Sequence, residues 1–298
     1  MKLVRPIAVT DAVLFATNVV ESEPVYSAAT SYSIGDRVRG DTTPTAHTLF
    51  EKAGSSGAGH ALSDPTKWIV VGATNRWSCF DTKVQSQTTR ADSIVYTLTV
   101  PGLVDTVALL NVAGVSARVK QTDTLEGIVF DQTESLVSDS GITDPYRYAF
   151  EPIVRLTDMV VTGLKPYASS TVELTITGPA ETCALGVLLL GLSLDVGGTQ
   201  FGAGIGVVDY SVKGFDDFGN AEVVERAFAR EANFAVWVEN ARVDHVVNVL
   251  AGFRATPVLY VGDTDFGSTA VFGFFRDFNV EIRGPDVSQC SLEVEGLA

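Results

Sequence analysis

Apolar and polar residues alternate along several short stretches of this chain, and this alternation constrains its fold more than any other feature. The pattern occurs at residues 93–100, 171–177 and 290–295. Successive side chains of a β-strand point to opposite faces, so each stretch forms a strand with one apolar face and one polar face. This is typical of antiparallel sheets with one face in the core and one in water. The chain is therefore predicted to be mainly β.

Two stretches depart from the alternation. Residues 185–190 are apolar throughout, which predicts a central strand covered on both faces. Residues 240–252 predict the one clear helix, in which Asn240 caps the N-terminus and Gly252 follows the last turn. The apolar side chains that repeat at helical spacing are Val243, Val246, Val247 and Leu250.

Changes in composition divide the 298 residues into four parts. An N-terminal segment spans 1–23, and a small module rich in Thr, Ser, Gly and Pro spans 24–75. A β-sandwich is predicted at 76–180 and a β-sandwich plus helix at 181–298, with Gly178-Pro179 near their boundary. The predicted fold is thus multidomain, with β-sandwiches, a small inserted β-module and one helix packed on the C-terminal sandwich.

Charge and hydropathy exclude two classes of partner. The 36 acidic residues outnumber the 21 basic ones, which gives a formal net charge of −15. A protein that binds the phosphate backbone needs a basic surface or stripe, so no specific nucleic-acid binding is expected. The longest apolar run, 184–192, is much shorter than the roughly 20 residues that span a bilayer. Asp11 and Asn18 also interrupt the N-terminal apolar stretch, so neither membrane insertion nor a secretory signal is expected.

Residue types that carry catalysis or bind metals are sparse. The chain has three histidines (His47, His60 and His245), and no Ser or Cys stands in a nucleophile motif such as GxSxG. The cysteines lack CxxC spacing and have apolar neighbours, which indicates buried free thiols. These cysteines are Cys79, Cys183 and Cys290. We expect no enzymatic activity, no metal and no cofactor.

Three glycine- or aspartate-rich segments have an alternative interpretation as ligand loops. Residues 202–206 read GxGxG rather than the GxGxxG of dinucleotide-binding loops, so a closely packed strand is preferred. Residues 216–220 and 263–265 bring carboxylates together as calcium loops do, but neither has the spacing of an EF-hand. Asp, Gly and Asn are also the usual residues of hairpin turns, and turns are predicted there.

The small module at 24–75 resembles the carbohydrate-binding modules that are often appended to chitinases. The matching features are Tyr26, Tyr32, Gly35-Asp36-Arg37-Val38, Leu49-Phe50-Glu51-Lys52-Ala53 and Asp64-Pro65-Thr66-Lys67-Trp68. The resemblance implies that Tyr26, Tyr32 and Trp68 stack on a sugar. In so short a segment these rings are also candidates for the core. Buried rings would favour a scaffold, whereas an exposed coplanar pair would favour sugar binding.

Nearly the whole chain resembles tail proteins of long-tailed bacteriophages. The segments that carry the resemblance are the join at 68–81, Phe150-Glu151-Pro152-Ile153-Val154-Arg155, Arg254-Ala255-Thr256-Pro257 and Phe274-Phe275-Arg276-Asp277-Phe278. The resemblance is to distal tail proteins of the tail tip or baseplate, in which a β-sandwich with one helix builds a ring that continues the tail tube.

This resemblance implies a structural protein of the virion tail, assembled in the host cytoplasm. Its partners would be the tail tube, tip or hub proteins, and copies of itself in a ring, with six copies as the first expectation and three as the second. The alternative is an adhesin whose small module and middle sandwich contact a host surface glycan.

Four phenylalanines near the C-terminus are the predicted ring contacts. Phe272, Phe274, Phe275 and Phe278 place large rings on both faces of one predicted strand. In a lone sandwich one of these faces would be exposed, and exposed apolar patches usually mark interfaces.

Overall fold

The computed structural model describes residues 1–138, 144–215, 218–263 and 266–297, and the protein is mainly β. Asp216, Asp217, Thr264 and Asp265, which belong to the two predicted aspartate-rich turns, lie outside the described residues. No helix in the described ranges is both long and apolar enough to cross a membrane.

The strands and helices fall into three groups along the chain. The first strands are β1 (Lys2–Pro6) and β2 (Leu14–Thr17), and the small module contains β3 (Arg37–Arg39), β4 (Thr48–Lys52) and β5 (Trp68–Ala73). The middle of the chain contains β6 (Thr88–Val100), β7 (Thr106–Ala113), β8 (Ser116–Asp123), β9 (Gly127–Ser135), β10 (Val137–Ser138), α1 (Pro145–Phe150), β11 (Val154–Arg155), β12 (Asp158–Thr162) and β13 (Ser170–Asp195). The last part contains β14 (Gly198–Thr199), β15 (Gly204–Asp209), β16 (Val212–Phe215), β17 (Ala221–Val224), β18 (Phe228–Glu239), α2 (Val243–Gly252), β19 (Val258–Val261), β20 (Ala270–Glu281) and β21 (Val287–Gly296). Short 3-10 turns occur at Ser78–Phe80, Asn240–Arg242 and Gly267–Thr269.

The predicted strand faces are confirmed. The alternating apolar side chains of β6, β13 and β21 are all buried, namely Ile94, Tyr96, Leu98, Val100, Val172, Leu174, Ile176, Cys290, Leu292 and Val294. The apolar run at 185–190 is also buried throughout, within the second half of β13. Side chains alternate between the two faces of any strand, so the sequence alone predicts which residues share a face, whichever strands lie beside it.

Strand β13 is 26 residues long and organises the main sheet. Its first half pairs with β6 and β8, and its second half pairs with β7 and then β1. A β-bulge between Gly178 and Thr182 separates the halves, and Ala180 has a positive φ of 62° there. The predicted boundary between 180 and 181 therefore falls inside one strand. Side chains of this strand belong to two different apolar clusters, which are described below.

One sheet of 14 strands runs through the protein, with the central order β12-β7-β13-β1-β19-β20-β21-β18-β14. A first apolar cluster packs around β6, β7, β8 and β13, and a second lies between α2 and the strands β18 to β21. A third cluster joins side chains of β7 and β13 to those of β1, β19 and β20. The two larger cores are therefore connected by continuous strand pairing and by shared packing.

The N-terminal segment is an integral part of this sheet. Strand β1 lies between β13 and β19, antiparallel to both, and Leu3 and Val4 are buried on its two faces. Val13, Leu14 and Val19 belong to the first apolar cluster.

The predicted helix is present, but the predicted cap is wrong. Helix α2 begins at Val243, after the 3-10 turn, and its N-cap residue Arg242 makes no side-chain capping bond. The Asn240 side chain instead donates to the carbonyl oxygens of Gly284 and Pro285, at 2.9 and 2.8 Å. It also accepts a hydrogen bond from the Ser288 hydroxyl at 2.6 Å. The Asn240 side-chain amide therefore bonds a neighbouring loop and not the helix N-terminus, where the sequence predicted it.

Candidate functional site

The three rings predicted to bind sugar are brought together in the small module. The rings of Tyr26 and Tyr32 are stacked, with centroids 5.8 Å apart and planes 22° apart. The Trp68 indole meets both of them edge-on, at 5.8 Å from Tyr26 and 5.3 Å from Tyr32. We call Tyr26, Tyr32 and Trp68 the ring cluster.

The ring cluster forms the interior of the module. Trp68 is only 2% exposed, Tyr32 is buried and Tyr26 is half-buried. Their polar atoms have partners inside the module: Tyr26 Oη and Trp68 Nε1 both donate to the His60 carbonyl oxygen, and Tyr32 Oη accepts from the Ser27 amide. Val38 and Phe50 complete this small core. The arrangement is that of a packed core rather than of an exposed coplanar pair.

A lysine outside the predicted site lies against these rings. Lys52 has no exposed surface, and its Nζ lies 4.5 Å from the centroid of the Trp68 ring. Burial lowers the pKa of Lys52, repulsion from Lys67 lowers it further, and Asp64 opposes the shift. The sequence contained one indication of this position. Lys52 is two residues from Phe50 on β4, and residues two apart on a strand share a face.

The four predicted contact phenylalanines pack largely within their own chain. Phe272 is buried in the third apolar cluster. A β-bulge between Phe275 and Asp277 brings Phe275 and Phe278 to the same face, where they pack edge-to-face at 5.5 Å against the second cluster. Phe274 is half-buried. Phe272 is thus covered where the two larger cores meet, and Phe275 and Phe278 are partly covered by the second cluster.

Exposed apolar side chains are concentrated instead on a hairpin that the sequence motifs did not indicate. The hairpin arm comprises β15 and β16 on one side and β17 with the first half of β18 on the other. Every residue at 212–215 and 218–228 is exposed. The exposed large apolar side chains of the arm are Ile205, Val207, Tyr210, Val212, Phe215, Phe218, Val223, Val224 and Phe228. The arm sequence mixes these apolar residues with polar ones such as Asp209, Lys213 and Glu222, so it resembles ordinary half-exposed strands and gave no distinct signal.

The root of the hairpin arm borders a cavity of about 240 Å³ between the two larger cores. Phe228, Leu110 and Phe272 contribute apolar walls. At its edge the Arg230 guanidinium pairs with the Asp158 carboxylate. Asp158 also accepts hydrogen bonds from the Asn111 amide at 3.1 Å and the Thr157 hydroxyl at 2.9 Å. This polar network connects the arm-bearing strand β18 to the start of β12.

The thiols are buried and unpaired. Burial raises the pKa of Cys79 to about 12 and that of Cys290 to about 11, and it also raises the pKa of Cys183. Thiolates are the reactive form of cysteine, so these side chains are poor nucleophiles at neutral pH. In the described ranges, no group of three or more His, Cys, Asp or Glu side chains is arranged to hold a metal ion.

No protein-family model, no curated protein and no solved structure matches this chain.

Proposed function

We propose that this protein is a structural component of a bacteriophage tail tip or baseplate, where its copies form a ring that joins the tail tube to the tip. The main support for this proposal is the exposure of the hairpin arm, in which every residue of strands β16 and β17 is exposed. A paired but uncovered hairpin with many apolar side chains is suited to contact another protein surface.

Neighbouring copies of the chain are the proposed partners of the arm. A ring subunit makes heterologous contacts, in which one surface of each copy meets a different surface of the next. Six copies are the first expectation from the resemblance and three the second, with tube and tip or hub proteins above and below the ring. The buried ring cluster favours a spacer or scaffold role for the small module.

A substitution at the arm separates assembly from folding. We call the part of the chain outside the small module and the hairpin arm the body. Phe215 is 80% exposed on the arm, and Phe15 on β2 is 75% exposed on the body. We expect Phe215→Asp to fold with unchanged circular dichroism but to be absent from tails produced in the host, whereas the matched control Phe15→Asp is incorporated. Immunolabelling of virions with an antibody to the chain should mark the tail tip. Virions that lack the chain would overturn the proposed function, and normal incorporation of Phe215→Asp would overturn the role of the arm.

A glycan-binding adhesin is the second candidate, because helix α1 presents rings to solvent. Tyr146, Tyr148 and Phe150 are all exposed, and the rings of Tyr146 and Phe150 lie 4.8 Å apart with a 39° tilt. Open aromatic faces can stack on sugar rings. Binding of the protein to host polysaccharide that is lost in Tyr146→Ala would support this function, and unchanged binding in that variant would contradict a role for the ring pair of α1.

A further inference from the structure

Lys52 and His60 form a close pair of basic side chains inside the small module. Lys52 Nζ lies 2.6 Å from His60 Nδ1 and sits over the Trp68 ring. Lys52 is fully buried, and none of the described carboxylates forms an ion pair with it. A buried ammonium therefore relies on one imidazole nitrogen and one indole face.

The chemistry of the two nitrogens limits the pair to one positive charge. An ammonium has only donors, so His60 Nδ1 must be an unprotonated acceptor when Lys52 is charged. If both groups were protonated, two cations would face each other at hydrogen-bond distance with no acceptor between them. Two like charges that share a site disfavour double ionisation. The closed pair therefore binds one proton fewer than the two separated side chains bind in acid.

We propose that Lys52 and His60 form an acid-sensitive latch that holds the loop at 54–60 over the ring cluster. His60 connects the latch to the rings, since its carbonyl oxygen accepts from Tyr26 Oη at 2.7 Å and from Trp68 Nε1 at 3.0 Å. The same loop exchanges two backbone hydrogen bonds between Gly57 and Tyr32. Release of His60 removes these contacts together and uncovers the rings.

The other charged groups around the pair do not supply the missing acceptor. Lys67, before β5, donates to the Ser55 hydroxyl at 2.8 Å, and its charge opposes that of Lys52. Asp64 accepts hydrogen bonds from Thr66, which lower the pKa of its carboxyl and keep it ionised in mild acid.

Three neighbouring polar side chains are engaged with other partners. Glu51 is next to Lys52 on β4 but points to the opposite face, where it pairs with Arg37 at 2.9 Å. The hydroxyls of Tyr26 and Tyr32 already bond the His60 carbonyl oxygen and the Ser27 amide. The His60 imidazole is thus the ionisable side chain that contacts the Lys52 ammonium.

The direction of the pH effect follows from proton linkage. Opening separates the two nitrogens and allows both groups to carry a proton, so it takes up one proton in acid. The equilibrium constant for opening should then rise tenfold for each unit that the pH falls, because one additional proton is bound in the open state.

Hydrogen exchange of the full chain between pH 4.5 and 7.5 tests the latch. We expect amide protection factors at 26–32 and 54–68 to fall by up to about tenfold per pH unit as the pH is lowered across this range, while those at 94–100 in the body stay constant. His60→Gln retains an acceptor but does not titrate, so it should remove this pH dependence. Lys52→Met should remove it as well, and the matched control His245→Gln, at an exposed position of α2, should retain it.

Three outcomes would overturn the proposal. The first is that the protection factors of the module in the wild-type protein do not change with pH, a measurement that requires no variant. The second is a pH dependence that persists in a folded His60→Gln or Lys52→Met protein. The third is a loss of protection that is equal in the module and the body, since the latch lies entirely within the module. If one of the two variants loses the module fold at every pH, the proposal is tested by the other variant and by the change of wild-type module protection with pH.

Discussion

The imidazole of His47 stacks on the indole of Trp77, with ring centroids 3.9 Å apart and planes 24° apart. His47 belongs to the small module, whereas Trp77 belongs to the first apolar cluster of the body. His47 Nε2 also lies 3.0 Å from a carboxylate oxygen of Asp11. The three-stranded sheet β3-β4-β5 is not paired with the main sheet, so side-chain contacts such as this one position the module on the body.

Removal of the His47 ring should loosen the module without unfolding the body. His47 has a φ of 60°, so Asn is the suitable replacement because it tolerates this left-handed conformation. We expect His47→Asn to weaken docking by about 0.5–1.5 kcal/mol, the range for a stacked ring pair. Faster hydrogen exchange at 44–48 with an unchanged melting transition of the body is the expected result. His245→Asn is the control, and unchanged exchange in His47→Asn would contradict this contact.

Trp68→Ala should unfold the small module. Truncation of a buried tryptophan costs about 3–5 kcal/mol, which is comparable to the whole stability of a domain of this size. Calorimetry should show loss of the module transition while that of the body remains. Trp237→Ala, at an exposed position of β18, is the control and should have a much smaller effect. A Trp68→Ala module that stays folded but no longer binds sugar would assign the ring to a binding site instead.

The cysteines should resist thiol reagents in the native protein. Their raised pKa values and full burial leave little accessible thiolate at pH 8. We expect slow labelling of native protein by a disulfide reagent, and rapid labelling of three thiols per chain in denaturant. Rapid labelling of one thiol in the native state would show that its surroundings open locally.

Arg230→Ala should destabilise the junction between the two larger cores. The Asp158 side chain is only 12% exposed, so removal of the guanidinium leaves a poorly solvated carboxylate. A loss of about 1–3 kcal/mol is expected from denaturant unfolding, and Asp158→Asn in the same chain should restore part of it. Arg118→Ala, whose partner Asp131 is more exposed, should cost less than about 1 kcal/mol. Equal losses for the two arginines would contradict the role of burial.

Gly191→Ala should disturb the pairing of β1 with β13. A Cβ at Gly191 would lie 2.3 Å from the Arg5 carbonyl oxygen, so the two strands would have to separate. We expect a loss of about 1–3 kcal/mol from this overpacking, together with faster exchange at 2–6. Gly198→Ala, with no atom within 4 Å of its added Cβ, is the control. Equal stability of the two variants would show that the sheet adapts at β1.

Much of the fold was predictable where a local pattern was sufficient. The buried faces of β6, β13 and β21 and the existence of α2 follow from spacing along the chain. The candidate site was less accessible. The sequence identified Tyr26, Tyr32 and Trp68 as candidates. Whether these rings form a sugar site or a core depends on their burial, which residue spacing does not determine. Lys52 and the hairpin arm gave only weak signals, because an inward lysine and an uncovered apolar strand look like ordinary strand residues in the sequence.

The sequence by itself determined which residues form strands and which faces of those strands are apolar, because side-chain direction in a strand depends only on position along it. Tertiary structure alone decided which surfaces meet. It placed β1 between β13 and β19, joined the two larger cores across the predicted boundary near residue 180, buried Phe272 between them, and redirected Asn240 from the helix to a neighbouring loop. These outcomes depend on contacts between residues that are distant in the chain, so the local pattern that defines each strand contains no information about them.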